Sequence, residues 1–366
     1  MNHRKRVFNA FEYKIPDRTP LDEPEGRFRI DTYRKLEKYF NAFDHEVILD
    51  FLGIDFRHVE RGISDSFKKK AKFIEIPFNN YVKIIDENLF EDEWGIRYEI
   101  TSDKLHWRYV YHPLSNEDFL DNYEFPDLDA PGRFDEAIKI IKEKKEEYVI
   151  GAHLWGSLFE IAWALRGFQR FIIDLYKNEI FVNKLLDKLL KYRIEEAKRF
   201  IDLGIDIMQL GDDIGMQTGM IIPLFIWRKY FKERMKILID EIKKHSRNEV
   251  YIFYHSDGNI EPIINELIEI GVQILNPIQP ECMDPAKIKE KYGDKIILHG
   301  TISIQKTLPF GKIKDVKEEV IKRIKECGYN GGLVLAPSHS PQPEVPIENL
   351  VAMYKEAQKI KLKNSI

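Results

Sequence analysis

His255-Ser256-Asp257 places an imidazole and a carboxylate two positions apart at the end of an apolar run, Val250–Tyr254. In an extended segment, side chains at i and i+2 point the same way. A His and an Asp so placed either share a metal ion or form a base whose ring the carboxylate orients. His339, which closes Ala336-Pro337-Ser338-His339 after a later apolar run, would add a third donor. His, Asp and His, with a fourth position left to water or substrate, is the stoichiometry of a catalytic rather than a structural zinc site. Two-residue spacing is common by itself, so the reading requires that distant segments meet.

Other polar groups gather at the ends of similar runs. Gly211-Asp212-Asp213 follows Met208-Gln209-Leu210, and His153 precedes Trp155. Asn276-Pro277-Ile278-Gln279-Pro280-Glu281-Cys282 and His299-Gly300-Thr301 close two more runs. With His58 near an early run, five of the ten histidines lie at or just after strand ends. Each group also has an ordinary structural role. Asp212 and Asp213 would cap a helix by accepting backbone N–H bonds. Glu281 would serve the turn into Asp284-Pro285, itself a cap followed by proline at the first helical position.

The elements that must position these groups alternate. The short apolar runs are Tyr148–Leu154, Ile205–Leu210, Val250–Tyr254, Gln273–Pro277, Lys295–Leu298 and Gly332–Ala336, with another near Gly53–Val59. Helical patterns cover Phe181–Leu203, Ile226–Lys244, Ile260–Ile270 and Ile313–Cys327. Strands alternating with helices predict parallel pairing through helical crossovers. The expected fold is α/β, a (β/α)8 TIM-type barrel, with a doubly wound open sheet as the alternative. No Gly-x-Gly-x-x-Gly follows a strand and no Gly-Lys-Ser/Thr is present, which counts against a nucleotide fold. In a barrel, all C-terminal strand ends open onto one face, so the polar groups would share one cavity.

The N-terminal third reads differently. Asp31–Phe51 has helical spacing, with Tyr33, Leu36, Tyr39, Phe40 and Phe43 on one stripe. Phe78–His112 holds the short runs Tyr81–Ile85, Ile96–Ile100 and Trp107–Tyr111, which predict antiparallel hairpins. Pro113–Gly132 is acidic and reads as a connecting loop. One domain over 1–366 is expected, a helical and β-hairpin extension with early barrel elements (1–135) leading into the main barrel (136–366).

Composition bounds the partners. In 366 residues, 57 Lys and Arg against 61 Asp and Glu give a net charge of −4, which argues against a nucleic-acid surface. An apolar fraction of 43%, with 12% aromatic, suffices for a large core. The two cysteines, Cys282 and Cys327, exclude a disulfide scaffold and a four-cysteine zinc module. No apolar run follows the basic start as in a signal peptide, and none is long enough to span a bilayer. A cytoplasmic protein without a membrane partner is expected.

Several segments carry a resemblance. They are Arg6-Val-Phe-Asn-Ala10, Pro16-Asp-Arg-Thr-Pro20, Asp92-Glu-Trp94-Gly95, His255-Ser-Asp-Gly-Asn-Ile-Glu-Pro262, Ile274-Leu-Asn-Pro-Ile-Gln-Pro-Glu281, Thr307-Leu-Pro-Phe-Gly311, Leu335-Ala-Pro-Ser-His339 and Val345-Pro-Ile-Glu-Asn-Leu350. Together they resemble the uroporphyrinogen decarboxylase superfamily over nearly the whole chain, most strongly from Gly151 onward. The resemblance implies a distorted barrel and one of two chemistries. One is cofactor-free decarboxylation of a porphyrinogen. The other is methyl transfer between a substrate and the cobalt of a corrinoid protein, helped by zinc.

True decarboxylases carry an arginine-bearing Met-Arg-Gln-Ala-Gly-Arg-Tyr-Leu-Pro segment that binds substrate carboxylates. Here that place reads Leu21-Asp-Glu-Pro-Glu-Gly-Arg27-Phe28, leaving Arg27, Arg29 and Arg34 to replace the clamp. Its acidic groups would repel a substrate bearing eight carboxylates. The run from Phe159-Glu160 to Leu165-Arg166-Gly167 is similar to the methyltransferase-like branch. Thiol-methylating members hold zinc with His-x-Cys and a distant Cys. His255, Asp257 and His339 stand at those positions, so harder N/O donors replace both thiolates. Such a metal would suit an ether oxygen better than a soft thiol.

The expectation is therefore a corrinoid-dependent methyltransferase, of O-demethylase type, with zinc on His255, Asp257 and His339. Glu281, Glu160 and His299 are the expected acid–base groups. Asp212, Asp213, His153, Trp155 and Gln279 are the expected substrate contacts. The corrinoid would come on a partner protein, and the resemblance implies a homodimer. The alternatives are a porphyrinogen decarboxylase, with His339 and an aspartate such as Asp55 on the pyrroles, and a non-catalytic protein that binds a tetrapyrrole or aromatic ligand.

Overall fold

The computed structural model describes residues 1–75, 79–102 and 106–362. Seven strands form one parallel sheet in chain order: β1 (Phe56–Glu60), β2 (Val149–His153), β3 (Ile207–Gly211), β4 (Tyr251–His255), β5 (Ile274–Asn276), β6 (Ile297–His299) and β7 (Leu333–Val334). Each lies within or just beside a run read from the sequence. The sheet curls until its edges are bridged. Leu21 pairs in parallel with Leu335, just past β7. On its other side, the Leu21 carbonyl accepts from the Asp55 N–H at 2.8 Å, just before β1. The stretch around Leu21 thus takes the eighth position of a TIM-like barrel.

Period-two alternation decides what each strand sends inward. Phe56, Val149, Ile207, Tyr251, Phe253, Ile274, Ile297 and Val334 form one buried cluster, the lower barrel interior. Val7 and Phe11 of the helix His3–Phe11 close it from below. Asp55, fully buried beside that plug, is held by Arg6 Nη1 at 2.7 Å, Arg18 Nη1 at 2.8 Å and the Leu21 N–H at 2.8 Å. The outward residues Ile150, Met208 and Ile252 pack in a second core with Leu185, Leu189 and Phe200 of the 25-residue helix Glu179–Leu203.

The N-terminal region departs from its reading in two places. The helical pattern over Asp31–Phe51 is two helices, Ile30–Phe40 and His45–Leu52. Asn41 ends the first in the left-handed region (φ 49°), and the Asp44 side chain caps the second by accepting from the Glu46 N–H. Five antiparallel strands stand where three runs were read, because Lys72–Ile74 and Leu89–Glu91 are too short to show alternation. Phe78 and residues 103–105 lie outside the described residues. Among the described residues, no helix is long and apolar enough to cross a membrane.

Candidate active site

One more step along the inward parity of each strand reaches the barrel mouth. There the apolar layer gives way to His58 (β1), His153 (β2), Gln209 (β3), His255 (β4), Asn276 (β5) and His299 (β6). These residues follow Phe56, Gly151, Ile207, Phe253, Ile274 and Ile297 at i+2, so the same pleat that fills the core aims them into one chamber.

The chamber contains a cluster with metal-ligand spacing. One ligand atom each from Asp213, His255 and Asp257 lies within 4.8 Å of the others. His255 Nε2 is 3.4 Å from Asp213 Oδ1, and the Asp257 N–H donates to that same oxygen at 2.8 Å. His339 Nε2 is 3.5 Å from Asp257 Oδ2. Two of the three expected donors, His255 and Asp257, lie in this cluster, and the third, His339, does not. Asp213, read as a substrate contact, completes the cluster, and His339 reaches it only through Asp257. Burial pushes the Asp213 carboxyl up, but the bond to His255 and its charge outweigh this and hold it below the usual range. One imidazole nitrogen and two carboxylates fit zinc, which takes mixed N/O donors in catalytic sites.

A chain of hydrogen bonds leads away from the cluster. His255 Nδ1 is 2.6 Å from Asn276 Oδ1, and Asn276 Nδ2 is 2.7 Å from His299 Nδ1. His299 Nε2 is 3.0 Å from Asp22 Oδ2, and His58 Nε2 is 2.8 Å from Asp22 Oδ1. Asp22 follows Leu21 at the barrel closure, so backbone pairing at the eighth position sets where its carboxylate lies. Burial opposes ionisation of Asp22, but His58 and His299 hold its pKa well below the ordinary value. The His153 ring stacks on Trp155 at 4.4 Å, and burial, with His58 and Arg27 nearby, keeps it well below its usual pKa. Gly26 (φ +87°) crosses directly above, and a Cβ there would come within 2.2 Å of His153 Nε2.

Glu160 stands between the cluster and an open cavity. A narrow cleft lined by Glu160, His153, Trp155, Gln209 and His255 leads outward into a cavity of about 260 Å³. Trp94, Tyr98, Tyr109, Trp155 and Trp163 supply aromatic walls to that cavity. Burial, then the charges of Asp213 and Asp212, push the Glu160 carboxyl up to about 8. At neutral pH it is a proton donor. Arg61 and Arg193 also line the cavity, but both are bonded to Glu196.

Several expected residues do other work. Asp212 accepts from the N–H groups of Leu158 and Glu160 at 3.0–3.1 Å, so it caps the helix Phe159–Arg166 rather than facing the cavity. Gln279 Oε1 accepts from the Gly258 N–H at 2.6 Å and fixes the loop after β4. Glu281 bonds to Ser303 Oγ and lies outside the three-residue cluster. His299 is 1% exposed and touches Asn276 and Asp22, which makes it a buried link rather than an acid–base group at the substrate. Asp55 sits before β1, at the opposite end of the barrel from the mouth. Arg27, Arg29 and Arg34 pair with Glu60, Asp31 and Glu75, so no arginine clamp is assembled from them. Sequence reasoning missed Asn276 and Asp22 as partners in the chamber. The signal for Asn276 was its i+2 place after Ile274.

Comparison with known proteins gives three findings. The family model described as uroporphyrinogen decarboxylase (URO-D) matches residues 92–360. A uroporphyrinogen decarboxylase from Coxiella burnetii is 23% identical over 195 residues, covering 52% of this chain and 50% of its own. One from a Hydrogenobaculum species is 23% identical over 247 residues, covering 63% and 66%. The chain thus spans about half the length of the first of these curated relatives. A solved methyltransferase from Methanosarcina mazei superposes with a TM-score of 0.70 at 17% identity, covering 98% of this chain and 99% of that one. That likeness shows a shared fold.

Proposed function

Because this chain belongs to the uroporphyrinogen decarboxylase family, we propose that it is a methyltransferase of that family, working with a corrinoid carried by a partner protein. The observation that carries the reading is the Asp213, His255 and Asp257 cluster, whose His255 shares a cleft with the Glu160 carboxyl. Asp213, His255 and Asp257 would hold a zinc ion, with His339 steadying Asp257. When bound, that ion would supply Lewis acidity toward the heteroatom that bears or receives the methyl group.

The chain's own groups supply the rest. Asn276 fixes the His255 ring by accepting from Nδ1. The aromatic walls bind the apolar body of a small methyl ether and exclude water from it. A partner's corrinoid would supply the cobalt(I) nucleophile that takes the methyl group, and the Glu160 carboxyl would give its proton to the ether oxygen so that it leaves as an alcohol or phenol. Burial, with the charges of Asp213 and Asp212, keeps the Glu160 proton available at neutral pH.

Charge speaks against decarboxylation of a porphyrinogen. The cavity carries Glu60, Asp92 and Glu196, while Arg61 and Arg193 are already bonded to Glu196. A substrate with eight carboxylates would meet repulsion there. The test is to supply the zinc-loaded protein with cob(I)alamin and a panel of aryl methyl ethers. Equal amounts of methylated cobalamin and free phenol are expected. Conversion of uroporphyrinogen to coproporphyrinogen, without any methyl transfer, would overturn the proposal.

A further inference from the structure

Two polar side chains at the barrel mouth are left without the bonds that burial demands. Gln209 of β3 is 4% exposed and His153 of β2 is 7% exposed. Gln209 Oε1 and His153 Nε2 are buried with no partner among the described residues, and so is Nδ1 of the neighbouring His58. Gln209 lies near enough to His58 to favour the charged ring, yet no hydrogen bond of ordinary geometry joins them. Buried amides and imidazoles are almost always bonded, because an unpaired one has given up its hydration for nothing. In the same layer Asn276 and His299 are each bonded on both sides, so the deficit is local to β2 and β3.

Both side chains line the narrow cleft that joins Glu160 to the aromatic cavity. The cleft measures about 20 Å³, room for one oxygen-sized group. Two glycines clear the space around it. A Cβ at Gly151 would come within 2.8 Å of His58 Nδ1 and 3.5 Å of Gln209 Cδ, and one at Gly26 within 2.2 Å of His153 Nε2. An anion gains little here, since burial keeps His153 neutral and the cavity's Arg61 and Arg193 are bonded to Glu196. A neutral imidazole and a primary amide each donate and accept. Their complement is a small group that does both without charge, a hydroxyl.

We infer that Gln209 and His153 form a hydroxyl subsite, so that the protein selects methyl ethers carrying a second, free hydroxyl group. That hydroxyl enters the cleft between the two side chains. The apolar body of the ligand lies among the aromatic walls, and the methyl-bearing oxygen faces Glu160. The inference rests on the reading of this cavity as the place where a methyl ether binds. Binding itself requires neither metal nor corrinoid and is measured without them.

The test uses the full chain, metal-free, titrated in a calorimeter with methoxybenzene and with each of the three isomeric methoxyphenols. At least one phenol should bind about tenfold more tightly than methoxybenzene, as hydrogen bonds to otherwise unpaired buried groups give. Gln209→Met keeps the length of the side chain and removes the amide, and it should bring that phenol down to the affinity of methoxybenzene. Its melting temperature should match or exceed that of the wild type, since the amide is unbonded in the free protein. Should Gln209→Met fail to fold, His153→Phe keeps the stack on Trp155, removes both ring nitrogens and should lose the same preference. Equal affinity for all four compounds in the wild type, as when the corner holds water only, would overturn the inference. So would the absence of measurable binding, or a preference that survives in both variants. A preference without methyl transfer leaves the subsite standing and the proposed reaction refuted, and methyl transfer without a preference does the reverse.

Discussion

The Asp257 N–H donates to Asp213 Oδ1 at 2.8 Å, tying the loop after β4 to the loop after β3. The bond helps hold two carboxylates that would otherwise repel so that one oxygen of each lies within 4.8 Å of the other and of a His255 ring nitrogen. It also allows a clean separation of fold from metal binding. Asp213→Asn keeps an oxygen for that N–H but removes an anionic donor. The variant should melt within a few degrees of the wild type, while zinc titration followed by calorimetry shows at least a tenfold weaker site.

Asp212, its neighbour in sequence, should behave in the opposite way. Its carboxylate caps the helix Phe159–Arg166. Asp212→Ala should cost about 1–2 kcal/mol of stability, as loss of an N-terminal cap does. Chemical denaturation reads that change, and the zinc stoichiometry of the folded variant should be unaltered.

Glu160 gives a signature in pH. Burial, with Asp213 and Asp212, raises its carboxyl from 4.5 to about 8. The folded protein therefore holds a proton that the unfolded chain releases above its own pKa. This contribution to stability is complete below about 4.5 and is lost as pH rises toward 8. Glu160→Gln should flatten that part of the stability–pH curve. In methyl transfer the wild type should lose rate above pH 8, and the variant should be slow at every pH, by about 10²–10⁴-fold.

At the other end of the barrel, Asp55 tests an anchor. Its carboxylate pairs with the buried guanidiniums of Arg6 and Arg18. Asp55→Asn leaves the buried Arg18 uncompensated and Arg6 with Asp17 alone, and should cost about 3–5 kcal/mol in urea unfolding. A decarboxylase role for Asp55 would instead leave stability intact and abolish turnover.

The strands of the barrel were legible because each is a short apolar run between helical patterns, and burial on both faces leaves a continuous signature. Tyr251–His255 and Ile297–His299 fall where the runs ended. The eighth position was not legible, since Leu21 is held by isolated pairing and carries no run. In the site, His255 and Asp257 followed from spacing within one segment. Asp213 and His339 depend on which loops face each other, and local sequence does not encode that. Asp212 and Asp213 are the same residue type side by side, yet one turns to backbone amides and the other to an imidazole. His299 was read as reactive for its place at a strand end. Its parity carried it inward, but Asp22, from the far end of the chain, covers it.

The central claim is that the barrel mouth holds a metal on Asp213, His255 and Asp257, and elemental analysis tests it most directly. Protein purified without chelator should carry about one zinc per chain, by the three-ligand logic of catalytic sites, and His255→Ala should carry almost none. A wild type that stays metal-free in excess zinc, or a His255→Ala variant that binds zinc as tightly as the wild type, would contradict the account.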